Sequence, residues 1–437
     1  MLMKQSIGAW CIAVLFLARA GQPWDNHPNA QAELNNLLKQ DETARKAGDN
    51  NQRLKVALQI KDLLNDASDA VLLAAGAYSA VKDTAHAFAM LSAYAGLGQA
   101  GDNVCTGNNK KFQWLGNNAT FTAICAQLQE NKNPVSLAKA AFSIPDSAVL
   151  PEDIDYDKSS KTFLFTSVLK KKIFRIGWDG RYSVFAASPD PWPMMAIKID
   201  PRRQLVWATE VALHGFKIVP ASEWDRSALL CYDLRNGKLI KRIEGPPGTA
   251  LGDMVLDGNG RPIVSDGTNG GIYRLERDSL GRIDKGDFIS PQTMALAADQ
   301  RHLIVPDYAR GIGIFDLTDS SVKWIRNSIA AKCPVNGIDG IYTNGENLFL
   351  TQNGVSPEQV KAIRLDKGMN KIIGSTVIEK DTALGDPTHG VVVDGNFYYI
   401  ANSGWNTVDD SGQFREGAIQ SKARVMCYSR TVGAHEK

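Results

Sequence analysis

Residues 251–266 read LGDMVLDGNGRPIVSD, and residues 387–404 read PTHGVVVDGNFYYIANSG. Each holds a short apolar run, an Asp-Gly or Gly-Asn turn, and a second run rich in β-branched or aromatic residues. That pattern predicts two antiparallel strands joined by a tight turn. The same unit recurs as PEDIDYDKSSKTFLFTS (151–167), PMMAIKIDPRRQLVWAT (193–209), PQTMALAADQRHLIVPD (291–307) and IDGIYTNGENLFLTQNG (338–354). A further strand follows each unit, as in IFRIGWDG (173–180) and LLCYDLRNGK (229–238). Six copies spaced by roughly 40–50 residues are the period of propeller blades. The expectation is an all-β six-bladed β-propeller over residues 150–430, with the first strand of each unit lining a central channel.

Upstream, the texture is helical. Leu54, Ala57, Leu58, Ile60, Leu63 and Leu64 recur at helical spacing, and Ala-rich stretches follow at Ala70–Ala80 and Ala85–Leu97. Residues 21–132 are therefore read as a small all-α domain. Residues 133–149, with Pro134 and Pro145, are read as a linker, and 431–437 as a tail. Residues 1–20 carry Lys4, an apolar stretch Gly8–Ala18 and the small-x-small site Ala18-Arg19-Ala20. This is the pattern of a cleaved signal peptide and predicts a secreted or periplasmic protein.

Of the 437 residues, 44% are hydrophobic and 22% charged, the balance of a folded globular chain. Removing Lys4 and Arg19 with the leader takes the formal net charge from +2 to zero. A neutral chain has no global attraction to nucleic acid, nor to a membrane once the leader is gone. Export permits disulfides, and Cys105 and Cys125 are the pair closest in sequence. Cys231, Cys333 and Cys427 lie in separate repeats and are read as buried thiols. Trp178 and Trp207 are read as core, Trp192 and Trp224 as lining a channel mouth. The insert Leu213–Arg226 is expected to project beside that mouth.

The starts of the innermost strands carry the chemistry. Across the copies these positions hold Glu152, Met194 or Met195, Gly252-Asp253, Gln292, Asp339 and Thr388-His389. Oxygen donors of this kind suit a hard divalent cation such as calcium. His389 is the candidate proton acceptor from an attacking water. No Gly-x-Ser-x-Gly or His-Glu-x-x-His motif is present.

LPEDIDYD, GDMVLDGNGRPIVSD, GIDGIYTNGENLFLTQNG and DPTHGVVVDGNFYYIANS resemble the motifs of the regucalcin–gluconolactonase family, within the paraoxonase and strictosidine synthase-like superfamily. The resemblance implies a metal-dependent lactonase or esterase acting on a small molecule in the channel. It places Glu152 as the first-blade metal ligand and Asp339 as ligand and base. Gly252 and Gln292 stand where the family usually has Asn. Similar alternation occurs in non-catalytic propellers of the NHL type, which leaves a ligand- or protein-binding scaffold as the alternative. The run AVLLAAGAYSAVKDTAHAFAMLSAYAGLGQAGD (70–102) resembles a tetratricopeptide hairpin, which implies a protein partner for the helical domain.

Overall fold

A computed structural model describes residues 29–429, apart from 102, 107–108 and 381–383. The signal-peptide reading of 1–20 and the tail 431–437 lie outside the described residues.

The chain opens with helices α1 (Ala30–Ala47), α2 (Asn50–Leu63), α3 (Ser68–Ala80), α4 (Thr84–Gly96) and α5 (Ala119–Glu130). Local chemistry sets four of the starts. The side chains of Asn29, Asp49, Asp83 and Asn118 each accept from a backbone N–H of the first turn, satisfying donors the helix leaves open. Ala74 and Ala75 are fully buried on α3; their small side chains let α3 and α4 pack closely. A disulfide joins Cys105, in the loop after α4, to Cys125 on α5.

Residues 133–149 are not a free linker, as their prolines suggested. They supply β1 (Val135–Ser136) and β2 (Lys139–Ser143). Six antiparallel sheets follow. Their innermost strands are β3 (Pro151–Asp157), β7 (Met194–Asp200), β11 (Leu251–Leu256), β15 (Ala295–Leu296), β19 (Gly340–Asn344) and β23 (Gly390–Val393). These define blades 1 to 6. β2 pairs with β25 (Arg424–Tyr428), with Lys139 opposite Cys427, so a strand from before blade 1 completes blade 6 and closes the ring. β1 extends blade 5 by pairing with β22 (Ile372–Lys380). Both segments are too short to show a strand pattern by themselves, and an edge already in place selects them. Phe163, Phe165, Ile197, Val264, Phe315 and Phe349 are buried at 2% exposure or less, which puts the core between neighbouring blades. Asp266 and Asp307 end second strands and accept backbone N–H groups of the next turn, so these acids are structural.

The helices dock on the face where the innermost strands begin. Ala30 N donates to Gly286 O at 3.0 Å and Ala100 N to Ser356 O at 2.6 Å. Arg310 Nε donates to Leu63 O, Asn65 Nδ2 to Arg310 O, and Ser68 to Asn336 Oδ1. These contacts cover the loops of blades 3 to 5. On the other side, the insert of blade 2 meets the long loop of blade 6, residues 401–423. Lys217 N donates to Ser411 O at 2.8 Å, and the Phe216 and Trp405 rings stand 6.2 Å apart. The channel mouth is roofed from both sides.

Three side chains depart from expectation. Trp178 is 51% exposed, standing on an aromatic cluster with Phe163 and Tyr398 because its turn lies at the opposite rim. Trp192 is buried between the Arg226 and Arg242 guanidinium groups, 5.1 and 5.2 Å from its ring, and does not line the mouth. Cys427 is half-buried, while Cys231 and Cys333 are buried.

Candidate functional site

The innermost strands start with irregular pairing. The register shifts between Pro151 and Ile154, Met194 and Ile197, and Leu251 and Asp253. A bulge breaks strict alternation, and both Glu152 and Asp153 are buried. Glycine follows two of the channel residues for steric reasons. A Cβ at Gly340, after Asp339, would fall 2.3 Å from the Tyr342 hydroxyl, and one at Gly390, after His389, 2.5 Å from Tyr398 O.

His389 is the centre of the site. Its Nδ1 lies 2.9 Å from the Glu152 carbonyl oxygen, which can only accept, so Nδ1 carries a proton and donates. Its Nε2 lies 2.9 Å from Asp253 Oδ1. That contact is off the line of a straight hydrogen bond and acts chiefly as an ion pair. Asp253 Oδ1 also accepts from Thr293 Oγ1 at 2.6 Å. Burial alone would lower the basicity of His389. The bond to Asp253 and the fields of Asp153, Asp253 and Asp339 outweigh it and hold the imidazole well above its ordinary value. His389 is therefore an imidazolium at neutral pH.

The carboxyls shift the other way. Burial pushes Glu152 up to about 8; the His389 charge and a hydrogen bond from Trp405 lower it, while Asp339 and Asp253 raise it. Trp405 Nε1 donates to Glu152 Oε2 at 2.5 Å. Burial likewise raises Asp339 to about 7, with Asp253 and Asp386 adding to the rise against His389 and Asn353. Asp386 in turn pairs with Glu358, whose Oε2 accepts from Asp386 N at 3.0 Å. Burial and the Asp386 charge push Glu358 to about 8. The Thr388 hydroxyl is buried with no hydrogen-bond partner among the described residues, which asks for a polar atom nearby.

The structure thus brings Glu152, Asp253, Asp339 and His389 into one electrostatic unit. Gln292 stays apart, its amide nitrogen donating to Ser290 O and Oγ. Asp153 and Trp405 were not singled out from the sequence. Asp153 Oδ2 accepts from Lys198 Nζ at 2.6 Å and Ile197 N at 2.8 Å, stitching blade 1 to blade 2. Its signal was the second acid of Glu152-Asp153, masked by assumed alternation. Trp405 lies in a loop with no repeat pattern and left no signal.

Carboxylate oxygens are the donor type a hard cation takes. Asp253 and Asp339 raise the proton affinity of Glu152, and Asp253 that of Asp339, with the His389 charge opposing both. Among the described residues, no three His, Cys, Asp or Glu side chains already stand together as a ligand set.

No protein-family model and no curated protein matches the chain. Solved structures similar to it include a luciferin-regenerating enzyme, at 13% identity and TM-score 0.47 over 69% of this chain and 96% of that one. A virginiamycin B lyase from Staphylococcus aureus is similar at 16% identity and TM-score 0.44, over 69% and 89%. An oxidoreductase (glucose dehydrogenase) from Thermus thermophilus is similar at 15% identity and TM-score 0.44, over 68% and 99%. By its own six sheets, the chain is a six-bladed β-propeller with an acidic channel centred on a histidine.

Proposed function

We propose that the channel is the reaction site of a hydrolase for a small ester or lactone, with Glu152, Asp253 and Asp339 holding a divalent cation, calcium by the hardness of the donors. The observation that carries this reading is the cluster of buried carboxyls around His389, with Glu152 and Asp339 raised to about 8 and about 7. Such perturbed groups concentrate at functional sites. A bound cation would polarise the scissile carbonyl. Asp339, a carboxylate beside the attacking water, would take its proton. His389 is reversed from the role its sequence suggested: charged at rest, with Nδ1 on the Glu152 carbonyl and Nε2 against Asp253, it supplies fixed positive charge beside the site. The roof over the mouth keeps bulk water from the site. Export is part of this proposal, and the Cys105–Cys125 disulfide supports it.

The closed mouth favours a second reading, a scaffold that retains a ligand without turning it over. Metal analysis of the purified protein, followed by assays on a panel of lactones and esters, separates the two. Asp339→Asn should lower calcium affinity and hydrolysis together by about tenfold or more, on the scale of losses at metal sites. Stabilisation by Asp339→Asn, with no calcium-dependent melting shift in the parent protein, overturns the cation reading.

A further inference from the structure

A cleft of ≈ 240 Å³ opens on the helical domain, walled by α1, α2, α3 and the loop before α5. The residues through which the helices dock on the propeller, Ala30, Leu63, Asn65, Ser68 and Ala100, take no part in it, so docking leaves it open. Ala57, Gly76 and Ala77 are buried in its floor, and Trp114, 41% exposed, offers an indole at its side. Its basic groups outnumber its acids: Arg53, Lys82, Lys110 and Lys111 line it against Asp41 alone. Asp41 is already taken, since Arg53 Nε lies 3.0 Å from its Oδ1. Among the described residues, no carboxylate stands within ion-pair reach of Lys82, Lys110 or Lys111; Lys82 Nζ lies instead 4.1 Å from the centre of the Trp114 ring. The wall is also held in place. Ser79 Oγ donates to Lys111 O at 2.5 Å and accepts from Trp114 Nε1 at 2.9 Å, which ties the loop to α3. Glycine is a poor residue for a helix interior, yet Gly76 sits inside α3, and a Cβ there would fall 3.3 Å from Lys111 Cδ. The missing side chain makes room for the Lys111 stem across the floor of the cleft.

We propose that this cleft binds a small aromatic carboxylate, its ring on Ala77, Leu73 and the Trp114 indole and its anionic end toward Lys82, Lys110 and Lys111. The three ammonium groups without an acid supply the charge preference. The small-residue floor and the indole supply an apolar bed on which a ring packs well. The volume sets the size: it lies below the range of about 300–1,000 Å³ usual for small-molecule sites, which suits one compact molecule rather than a length of peptide. The site stands apart from the channel and does not rest on the hydrolase reading.

The test is calorimetric titration of the full chain with 2-naphthoate and with its uncharged counterpart 2-naphthalenemethanol. At low salt the carboxylate should bind about tenfold more tightly, each exposed ammonium acting on the scale of a surface ion pair. At about 1 M salt the difference should shrink to about twofold. Acetate, which has the charge without the ring, should bind at least about tenfold more weakly than 2-naphthoate. The triple variant Lys82→Gln/Lys110→Gln/Lys111→Gln should abolish the preference for the carboxylate and keep the melting temperature, because all three side chains are exposed. Ala80→Glu, a second variant at an exposed lining position, should weaken 2-naphthoate by about threefold and leave the alcohol unchanged. Equal affinity for carboxylate and alcohol at low salt, acetate binding as tightly as 2-naphthoate, no binding, or indifference to the lysine substitutions overturns the proposal. So does tighter binding of hexaglutamate than of 2-naphthoate, which would make the cleft a peptide-docking surface.

Discussion

His389 of blade 6 and Asp253 of blade 3 come from opposite sides of the ring and meet across the channel at 2.9 Å. Their contact is the one tie that passes through the channel axis rather than round it, among the interactions described above. It also sets the protonation of the whole site, since it keeps His389 charged and lets that charge temper Glu152 and Asp339.

Asp253→Asn leaves a buried imidazolium without its partner. Losing one member of a buried pair costs about 3–5 kcal/mol, so the melting temperature should fall by roughly 5 °C for a chain of this size. The double variant Asp253→Asn/His389→Gln should lose less than the two single losses combined. Strict additivity in differential scanning calorimetry would show that the pair does not interact.

The pH dependence has a definite sign. Glu152 and Asp339 bind protons more tightly folded than unfolded, with folded values of about 8 and about 7 against 4.5 and 3.8. The folded state therefore holds more protons between those limits, and stability falls as pH rises through them. His389, raised above 6.5, adds a loss that begins above that pH. Glu210, pushed by burial to about 7, and Glu358, to about 8, act in the same direction. In chelator-treated protein the melting temperature should drop from pH 5 to pH 8.5, most steeply between about 6.5 and 7 and more gently past about 8, and Glu152→Gln should flatten the curve. A melting temperature that climbs over this range contradicts the assignment.

Trp405→Phe keeps a ring against Phe216 and deletes the donor to Glu152. A hydrogen bond to a carboxyl group is worth about 1–2 kcal/mol, and the melting temperature should fall accordingly. In a Glu152→Gln background the same substitution should cost less. An equal cost in both backgrounds would assign Trp405 to packing alone.

Cys105 and Cys125 close a loop across a sequence separation of 20. Replacing both by Ser should destabilise the helical domain by roughly 3 kcal/mol on the chain-entropy account. Hydrogen exchange should quicken in α5 and leave β11 and β19 unchanged. Equal acceleration in the propeller strands would mean that the helices and blades unfold as one unit.

The propeller was legible because each blade repeats a local rule. Alternating apolar runs, turn residues such as Asp257-Gly258 and Asp394-Gly395, and a fixed period specify a hairpin wherever they occur. The helices were legible through Asn29, Asp49, Asp83 and Asn118, whose capping acts within one turn. Inner-strand starts pointed to Glu152, Asp253, Asp339 and His389 because topology assigns that position in every repeat. Gln292 holds the same position, yet its side chain turns to Ser290, a choice made by local hydrogen bonding that no repeat encodes.

The sequence alone determined what depends on neighbours along the chain: six hairpin units, capped helices, and acids and a histidine at equivalent positions. Tertiary structure decided what depends on separated segments meeting. It turned residues 135–143 into edge strands, because only an assembled sheet offers them a partner. It brought Trp405 to Glu152 across a sequence separation of 253 and roofed the mouth with helices. It also made His389 a held cation rather than a free base, because a histidine's charge is set by the burial and carboxylates that folding places around it.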